Sequence, residues 1–193
     1  MFQNNFLKIS ILFILLFTNS FALKKEQIED EMTKRIDNVL LVLKDKTLSK
    51  ESKKEEVIKI VNDTFDFELM AKIALGKEAW DSIDEAKQNE FSKTFEEKIK
   101  ASYSNKLELY NDQKVKIISL LPYNKTRLQL KTELLGKEGN YSINYNFYEK
   151  NGEWYIYDID LIGVSIIQTY RQQFAGLLKE KSFDEMFQQF KNQ

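Results

Sequence analysis

The chain has 193 residues, of which 31% are charged, yet its formal net charge is only −1. This balance gives no whole-protein reason to bind a nucleic acid or another polyanion. The sequence contains neither cysteine nor histidine. Disulfides, cysteine- or histidine-based nucleophilic chemistry and the usual zinc or copper ligand sets are therefore excluded. The fold must be held together by its apolar core alone.

Residues 1–22 have the pattern of a secretory signal peptide. Lys8 supplies the positive charge, the run 9–17 is apolar except for Ser10, and small residues precede a cut after about Ala22. The apolar run is too short to span a bilayer as a stable helix, which argues against a retained membrane anchor. We therefore predict export, cleavage, and a single folded domain at 23–193.

The first part of this domain has helical spacing. Apolar residues recur at intervals of three and four through 24–46 and again through 50–63, which predicts two helices. A third helix is predicted at 66–75, with Phe67 and Met70 on its inward side. A glycine follows it, as is common where a helix ends.

A longer helix is predicted next, because Ser82 and Glu85 have the spacing of a capping box. It extends to about Tyr110, and its inward residues follow one another at four-residue intervals. That stripe drifts around the helix, which favours packing across a twisted sheet. The inward residues are Phe91, Phe95, Ile99, Tyr103 and Leu107.

The period then changes to two, which predicts four strands at 113–121, 126–134, 141–148 and 153–161. Apolar and polar residues alternate along them, as in an antiparallel sheet with one wet face. The inward residues that matter for a binding site are Leu128, Leu130, Ile143, Tyr145 and Phe147.

Turn residues punctuate these strands. Asn151-Gly152 predicts a tight hairpin into the last strand. Pro122, the only proline, is expected in the loop after the first strand, where its missing N–H has no consequence. Asn140-Tyr141-Ser142 matches an N-glycosylation acceptor, and Glu138 stands where some bacterial oligosaccharyltransferases require an acid.

Helical spacing returns after Gly163, with Val164, Ile167 and Tyr170 among the inward positions. A second capping-box pattern at 182–185 predicts a short C-terminal helix. Helices, then four strands, then helices indicate the α+β class. The expected architecture is one antiparallel twisted sheet of four strands, or slightly more, with helices from both ends packed on one face.

Three stretches, in order from about Asp66 to Phe190, resemble the MlaC (toluene-tolerance) family. The first comprises Asp66-Phe67-Glu68-Leu69-Met70-Ala71, Leu75-Gly76, Trp80, Phe91-Ser92-Lys93-Thr94-Phe95 and Tyr103. The second comprises Ile143-Asn144-Tyr145, Asn151-Gly152-Glu153-Trp154 and Tyr157-Asp158-Ile159. The third comprises Gly163-Val164-Ser165, Tyr170-Arg171-Gln172-Gln173-Phe174 and Phe183-Asp184. Two departures are Ile162, where the family commonly has an acid, and Trp80, one residue later than usual.

The resemblance implies a periplasmic carrier of Gram-negative cells with no catalysis and no cofactor, whose cargo is a diacyl phospholipid. It would act as a monomer between an inner-membrane MCE-type ABC transport complex and an outer-membrane lipoprotein complex, maintaining outer-membrane lipid asymmetry. Both acyl chains would occupy a slot between sheet and helices. Val164 enters the site by the Gly-Val-Ser likeness, and Arg171 is a candidate near the slot mouth.

These considerations give a set of expected lipid-binding residues. The set is Phe67, Met70, Phe95, Ile99, Tyr103, Leu107, Leu128, Leu130, Ile143, Tyr145, Phe147, Val164, Ile167, Tyr170 and Arg171. Two other functions remain open. The same stripes suit the solid core of a ligand-free periplasmic adaptor or chaperone, and carboxylates could serve a small enzyme on a cystatin-like or NTF2-like scaffold.

Overall fold

The computed structural model describes residues 23–110, 112–137 and 139–193. The predicted signal peptide at 1–22 and the acidic Glu138 lie outside these residues. Among the described residues, no helix is long and apolar enough to cross a membrane. Five antiparallel strands form one sheet, with helices before and after it in the chain. The predicted α+β class is thereby confirmed.

The three predicted N-terminal helices are present. A 3₁₀ turn at Lys25–Gln27 leads into α1 (Ile28–Lys44), which is followed by α2 (Lys50–Val61). A second 3₁₀ turn at Asn62–Thr64 precedes α3 (Phe67–Leu75). Each of the two later helices begins at a side chain that caps it, Ser49 for α2 and Asp66 for α3.

The next segment differs from the prediction at both ends. A short helix, α4 (Lys77–Asp81), precedes α5 (Glu85–Ser104), and a 3₁₀ turn at Asn105–Leu109 follows it. The cap of α5 is Asp84, which accepts a hydrogen bond from the Lys87 N–H. The predicted cap at Ser82 is therefore wrong. Its hydroxyl donates to a carbonyl of α4 instead, because the chain is still leaving that helix.

The sheet has the strand order of the sequence. Its strands are β1 (Lys114–Asn124), β2 (Arg127–Gly136), β3 (Gly139–Lys150), β4 (Glu153–Leu161) and β5 (Val164–Ser165). The two-residue β5 was not predicted individually. Because each strand pairs with its chain neighbour, inward side chains of successive strands lie side by side and form one continuous apolar floor.

Two turn predictions have different outcomes. Asn151 and Gly152 both adopt positive φ, 57° and 83°, as a two-residue hairpin requires. Pro122, however, lies within β1, opposite Leu128, rather than in the following loop. The position tolerates proline because β1 is an edge strand of the sheet, and no strand of the described residues pairs with its outer edge.

The C-terminal helices are α6 (Ile166–Leu177) and α7 (Phe183–Lys191). The capping box predicted for α7 is confirmed, since Ser182 and Glu185 bond to each other's backbone N–H. Asp158 of β4 positions α6: it accepts hydrogen bonds from the Ser165 hydroxyl at 2.6 Å and the Ile167 N–H at 3.1 Å. Burial raises the pKa of Asp158, partly offset by these donors.

The core has two parts. The aromatic cluster, made by α5, α6 and α7, is built from buried phenylalanines whose ring centroids lie 5.0–6.2 Å apart. Its members are Phe91, Phe95, Phe174, Phe187 and Phe190. The sheet cluster joins β2, β3 and β4 to the start of α1. Its buried members are Leu23, Ile28, Met32, Leu128, Leu130, Phe147, Trp154 and Ile156.

Candidate ligand-binding site

Between the sheet and helices α1 and α2 lies an apolar cavity of about 230 Å³, called here the first chamber. Its helical walls are the same apolar stripes that predicted the helices, and its floor is the sheet. The residues that form it include Met32, Ile36, Val39 and Leu40 of α1, Val57 and Val61 of α2, and Val115, Tyr145, Ile156 and Ile159 of the sheet.

A second cavity of about 140 Å³, the second chamber, lies between α2, α3 and the C-terminal end of α5. Its surface is again almost wholly apolar. Residues from α3, from α5 and the turn after it, and from the start of α6 line it. They include Phe67, Met70, Ile99, Tyr103, Leu107 and Ile166.

The two chambers share a wall. Val57, Val61, Phe65 and Ile159 line both of them. The backbone beside Phe65 is attached to the sheet, because the Asp66 N–H donates to the Ile156 carbonyl at 3.0 Å. The molecule therefore contains a two-lobed apolar interior divided by a few side chains.

The tyrosines in the chamber walls are uncharged at ordinary pH. Burial raises the pKa of Tyr145 to about 12, and it also raises the pKa of Tyr103. In the part of the chain that the structure describes, one cationic residue lines each chamber, Arg35 the first and Lys100 the second. Lys100 pairs with Glu96 and lies 4.8 Å from the centre of the Phe67 ring. Such an interior suits the apolar part of a ligand.

Of the helices that line the chambers, α2 buries the fewest residues. Along its 12 residues only Val57 is buried, whereas the nine residues of α3 include four buried ones. Sites for drug-sized ligands have volumes of about 300–1,000 Å³, so each chamber is small for a long acyl chain. Since elements with few buried contacts open at low free energy, a larger ligand would be accommodated by displacement of α2.

The structure divides the predicted site residues into groups. Phe67, Met70, Ile99, Tyr103 and Leu107 line the second chamber, and their contact with a lipid stays a prediction. Tyr145 lines the first chamber.

All the others except Ile143, Val164 and Arg171 belong to the solid parts of the core. Leu128, Leu130 and Phe147 are in the sheet cluster. Phe95, Ile167 and Tyr170 pack in or against the aromatic cluster. Ile143 is half-buried in β3, paired with Thr132 and Leu161.

Two predicted residues lie away from the chambers. Val164 is 59% exposed, so the expectation that it faces the slot is wrong. It follows the turn at Ile162 and Gly163 on the short strand β5, at the opposite edge of the sheet from β1. Arg171 is also exposed and borders an open groove with Leu75 and Lys179 instead. It is the neighbour of a core residue, Tyr170, but on the outer side of α6.

The predicted set omitted the residues of α1 and α2. Their helical stripes were visible in the sequence, but their role as chamber walls depends on the distance between these helices and the sheet. Ile36, Val39 and Leu40 are only half-buried, since they face a cavity rather than packed atoms. Among the described residues, no cluster of three or more acidic residues could hold a metal ion.

The sheet floor, the helical roof and the two-lobed apolar interior are features of a site for the apolar part of a small ligand. The model of the MlaC family ("MlaC protein") matches residues 33–192, so the chain belongs to the MlaC family. A solved structure with the same fold is that of a phospholipid-binding protein from Ralstonia solanacearum, in complex with a phospholipid. The two share 20% sequence identity at a TM-score of 0.69, covering 83% of this chain and 97% of that one.

Proposed function

We propose that this protein is a phospholipid carrier that encloses one acyl chain in each chamber and leaves the head group near the protein surface. The observation that carries this proposal is the two-lobed interior, with its shared wall of Val57, Val61, Phe65 and Ile159. Two adjoining apolar lobes match the shape of a diacyl lipid. Family membership and the phospholipid in the Ralstonia protein support the same ligand class.

Free energy explains why the chains must be enclosed. A diacyl lipid has on the order of 30 CH₂ groups, and each contributes about 0.8 kcal/mol on leaving water. Exposed tails would therefore cost roughly 20 kcal/mol or more. The same tails are already out of water in a bilayer. A carrier therefore only has to hold them at a free energy close to the one they have in the bilayer. Loosely packed, aliphatic chamber walls serve reversible exchange better than a rigid mould.

The family and the N-terminal sequence pattern support a proposal for where the protein works in the cell. We propose that it works in the periplasm after removal of residues 1–22. There it shuttles phospholipid between an inner-membrane MCE-type ABC complex and an outer-membrane lipoprotein complex, and so maintains lipid asymmetry. It carries cargo and performs no catalysis.

Purification from its native compartment without detergent tests the carrier function. Organic extraction and mass spectrometry should find diacyl phospholipid at close to one molecule per chain. A delipidated sample should reload from phospholipid vesicles. A folded protein that is lipid-free and takes up nothing from vesicles would instead be an adaptor or chaperone with a flexible interior.

The shuttle function needs a separate experiment. Lipid-loaded protein is mixed with each reconstituted membrane complex, and transfer of a labelled phospholipid is followed with time. Transfer to or from both complexes, above the spontaneous exchange with protein-free vesicles, is expected. Exchange that neither complex accelerates would restrict the protein to storage or buffering of lipid.

A further inference from the structure

Arg35 of α1 makes an unusual set of contacts at the edge of the first chamber. Its Nη1 donates to Asp63 Oδ1 at 2.7 Å and to the carbonyl of Ile60, and its Nη2 donates to Asp63 Oδ2 at 3.1 Å. Its Nε is buried and has no hydrogen-bond partner. Among the described side chains, it is the one buried nitrogen or oxygen that has no hydrogen-bond partner.

The unused part of the guanidinium has a defined shape. A guanidinium has five N–H groups in a rigid plane. Asp63 occupies the end formed by Nη1 and Nη2, which leaves the side formed by the Nε–H and the second N–H of Nη2. Such a pair of parallel N–H groups fits two oxygens of one phosphate or carboxylate group.

The position of Arg35 limits what that anion is. Among the described residues that line the first chamber, Arg35 is the one with a charged side chain. Its neighbours along α1 in the lining are Met32 and Ile36, so an anion on the free side would be attached to a molecule whose apolar part lies in the chamber. A phosphodiester joined to acyl chains has this chemistry, whereas a free phosphate ion has no apolar part to bury.

We propose that Arg35 binds the head group of the carried lipid, by donating two hydrogen bonds from its Nε–H and Nη2–H to the phosphodiester. This assignment rests on the proposed carrier function and adds the residue that reads the phosphate. Asp63 stays paired with the other side of the guanidinium and holds its plane in place. The interaction is independent of the alcohol on the phosphate, so it admits lipids with different head groups.

The test compares two lipids with the same tails. Delipidated protein is titrated with vesicles that contain either dioleoylphosphatidylcholine or dioleoylglycerol, which lacks the phosphate, in the same carrier lipid matrix. In the Arg35→Met variant, uptake of the phosphatidylcholine should fall about tenfold, as for loss of a two-point charged hydrogen bond. Uptake of the dioleoylglycerol should not change. Arg35→Lys, which keeps the charge but not the fork, should lie between wild type and Arg35→Met.

Lys34→Met is the matched control. Lys34 precedes Arg35 on α1 but is 66% exposed and pairs with Glu31 on the surface. Its removal changes the net charge equally and should leave the uptake of both lipids as in wild type. A loss of phosphatidylcholine uptake as large as that of Arg35→Met would mean that only long-range charge acts, and would overturn the assignment.

Arg35 also joins α1 to the end of α2, so a purely structural role predicts a different result. In that case Arg35→Met would reduce uptake of both lipids equally, and the assignment would be wrong. Arg35→Met could unfold the protein by leaving Asp63 unpaired. In that case the double variant Arg35→Met/Asp63→Asn, which removes both charges, is used in place of the single variant. A wild-type protein that takes up neither lipid would overturn the carrier function itself.

Phosphorus NMR supplies an independent measurement on the loaded protein. The phosphorus resonance of bound phosphatidylcholine should shift between wild type and Arg35→Lys, because two hydrogen bonds to the phosphate are altered. The Lys34→Met protein should give the wild-type resonance. Identical spectra for wild type and Arg35→Lys would show that the phosphate does not contact Arg35.

Discussion

Between α5, α6 and α7 many of the apolar side chains are aromatic and pack ring against ring, whereas on α1 and α2 they are aliphatic and border two chambers. The first region is anchored by residues such as Phe91 and Phe174, which are fully buried. The second is closed by helices that bury few residues: Ile28 and Met32 on α1, and Val57 on α2.

This difference shows how one apolar core contains both a densely packed part that stabilises the fold and a part with cavities. Large rigid rings fill volume and lose little conformational entropy when they are fixed, so they hold the C-terminal helices in place. On the proposed function, branched aliphatic side chains on helices that bury few residues would adjust to acyl chains of different length. The densely packed half of the molecule would then support a half that changes shape with its cargo.

A matched pair of leucines is the strongest test of this comparison. Leu75 is buried beside the aromatic cluster, and Leu40 lines the first chamber half-buried. Leu75→Ala should lower the free energy of unfolding by about 2–5 kcal/mol. Leu40→Ala should lower it by about 1 kcal/mol, because it removes less buried surface and adds to a space already present. Urea unfolding of lipid-free protein measures both, and equal losses would contradict the distinction between the two regions.

A larger side chain in the wall that the two chambers share tests whether the space there receives a ligand or is part of the packed core. Val61→Trp enlarges a side chain that lines both chambers. It should prevent loading from vesicles while the melting temperature of the lipid-free protein stays within a few degrees of wild type. Overpacking a solid core costs about 1–3 kcal/mol, so a large drop in melting temperature would mean that no usable space exists there. Leu41→Trp, at a position 65% exposed on α1, is the control.

The wall between the lobes depends on Asp66, which caps α3 next to Phe65. Burial raises the pKa of Asp66, but hydrogen bonds from Tyr148, the Leu69 N–H at 2.9 Å and Lys150 at 3.1 Å outweigh it and hold this pKa below its ordinary value. A lowered pKa means that the carboxylate contributes stability above about pH 4, the unfolded value. That contribution is lost as the pH falls through the folded pKa.

Asp66→Asn should therefore lower the free energy of unfolding by about 1 kcal/mol at pH 7. The difference from wild type should shrink below about pH 4, as the wild-type carboxyl becomes protonated. The asparagine keeps the helix cap, so α3 remains and only the charged contacts are lost. Urea unfolding at pH 7 and pH 3 gives the two differences. A difference that does not depend on pH would show that the charge of Asp66 has no part in it.

The smallest effects are expected when the serine that caps a helix is replaced, once in each of the two regions. Ser182 caps α7 in the solid region, and Ser49 caps α2 over the chambers. Ser182→Ala should lower the free energy of unfolding by about 1 kcal/mol. Ser49→Ala should affect global unfolding less and instead speed hydrogen exchange of α2, because α2 opens locally before the fold is lost. The reverse pattern would mean that α2 is fixed as firmly as α7.

Local sequence patterns determined much of this fold. Periods of three to four and of two located the N-terminal helices and the four long strands, because side-chain direction follows backbone geometry. The same was true of the Asn151-Gly152 turn and the cap of α7, which depend on neighbouring residues alone. Several residues of the second chamber, among them Tyr103 and Ile99, were predicted from the inward stripe of α5.

What only the tertiary structure decided was which apolar residues touch packed atoms and which face empty space. Phe95 and Ile99 lie one turn apart on the same stripe and both belong to the buried core, yet Ile99 also lines a chamber and Phe95 does not. Val164 has the apolar character of a slot residue but lies exposed on β5. Periodicity defines the direction of a side chain relative to its own element. Whether a distant element comes close enough to fill the space in front of it depends on how all the elements pack together.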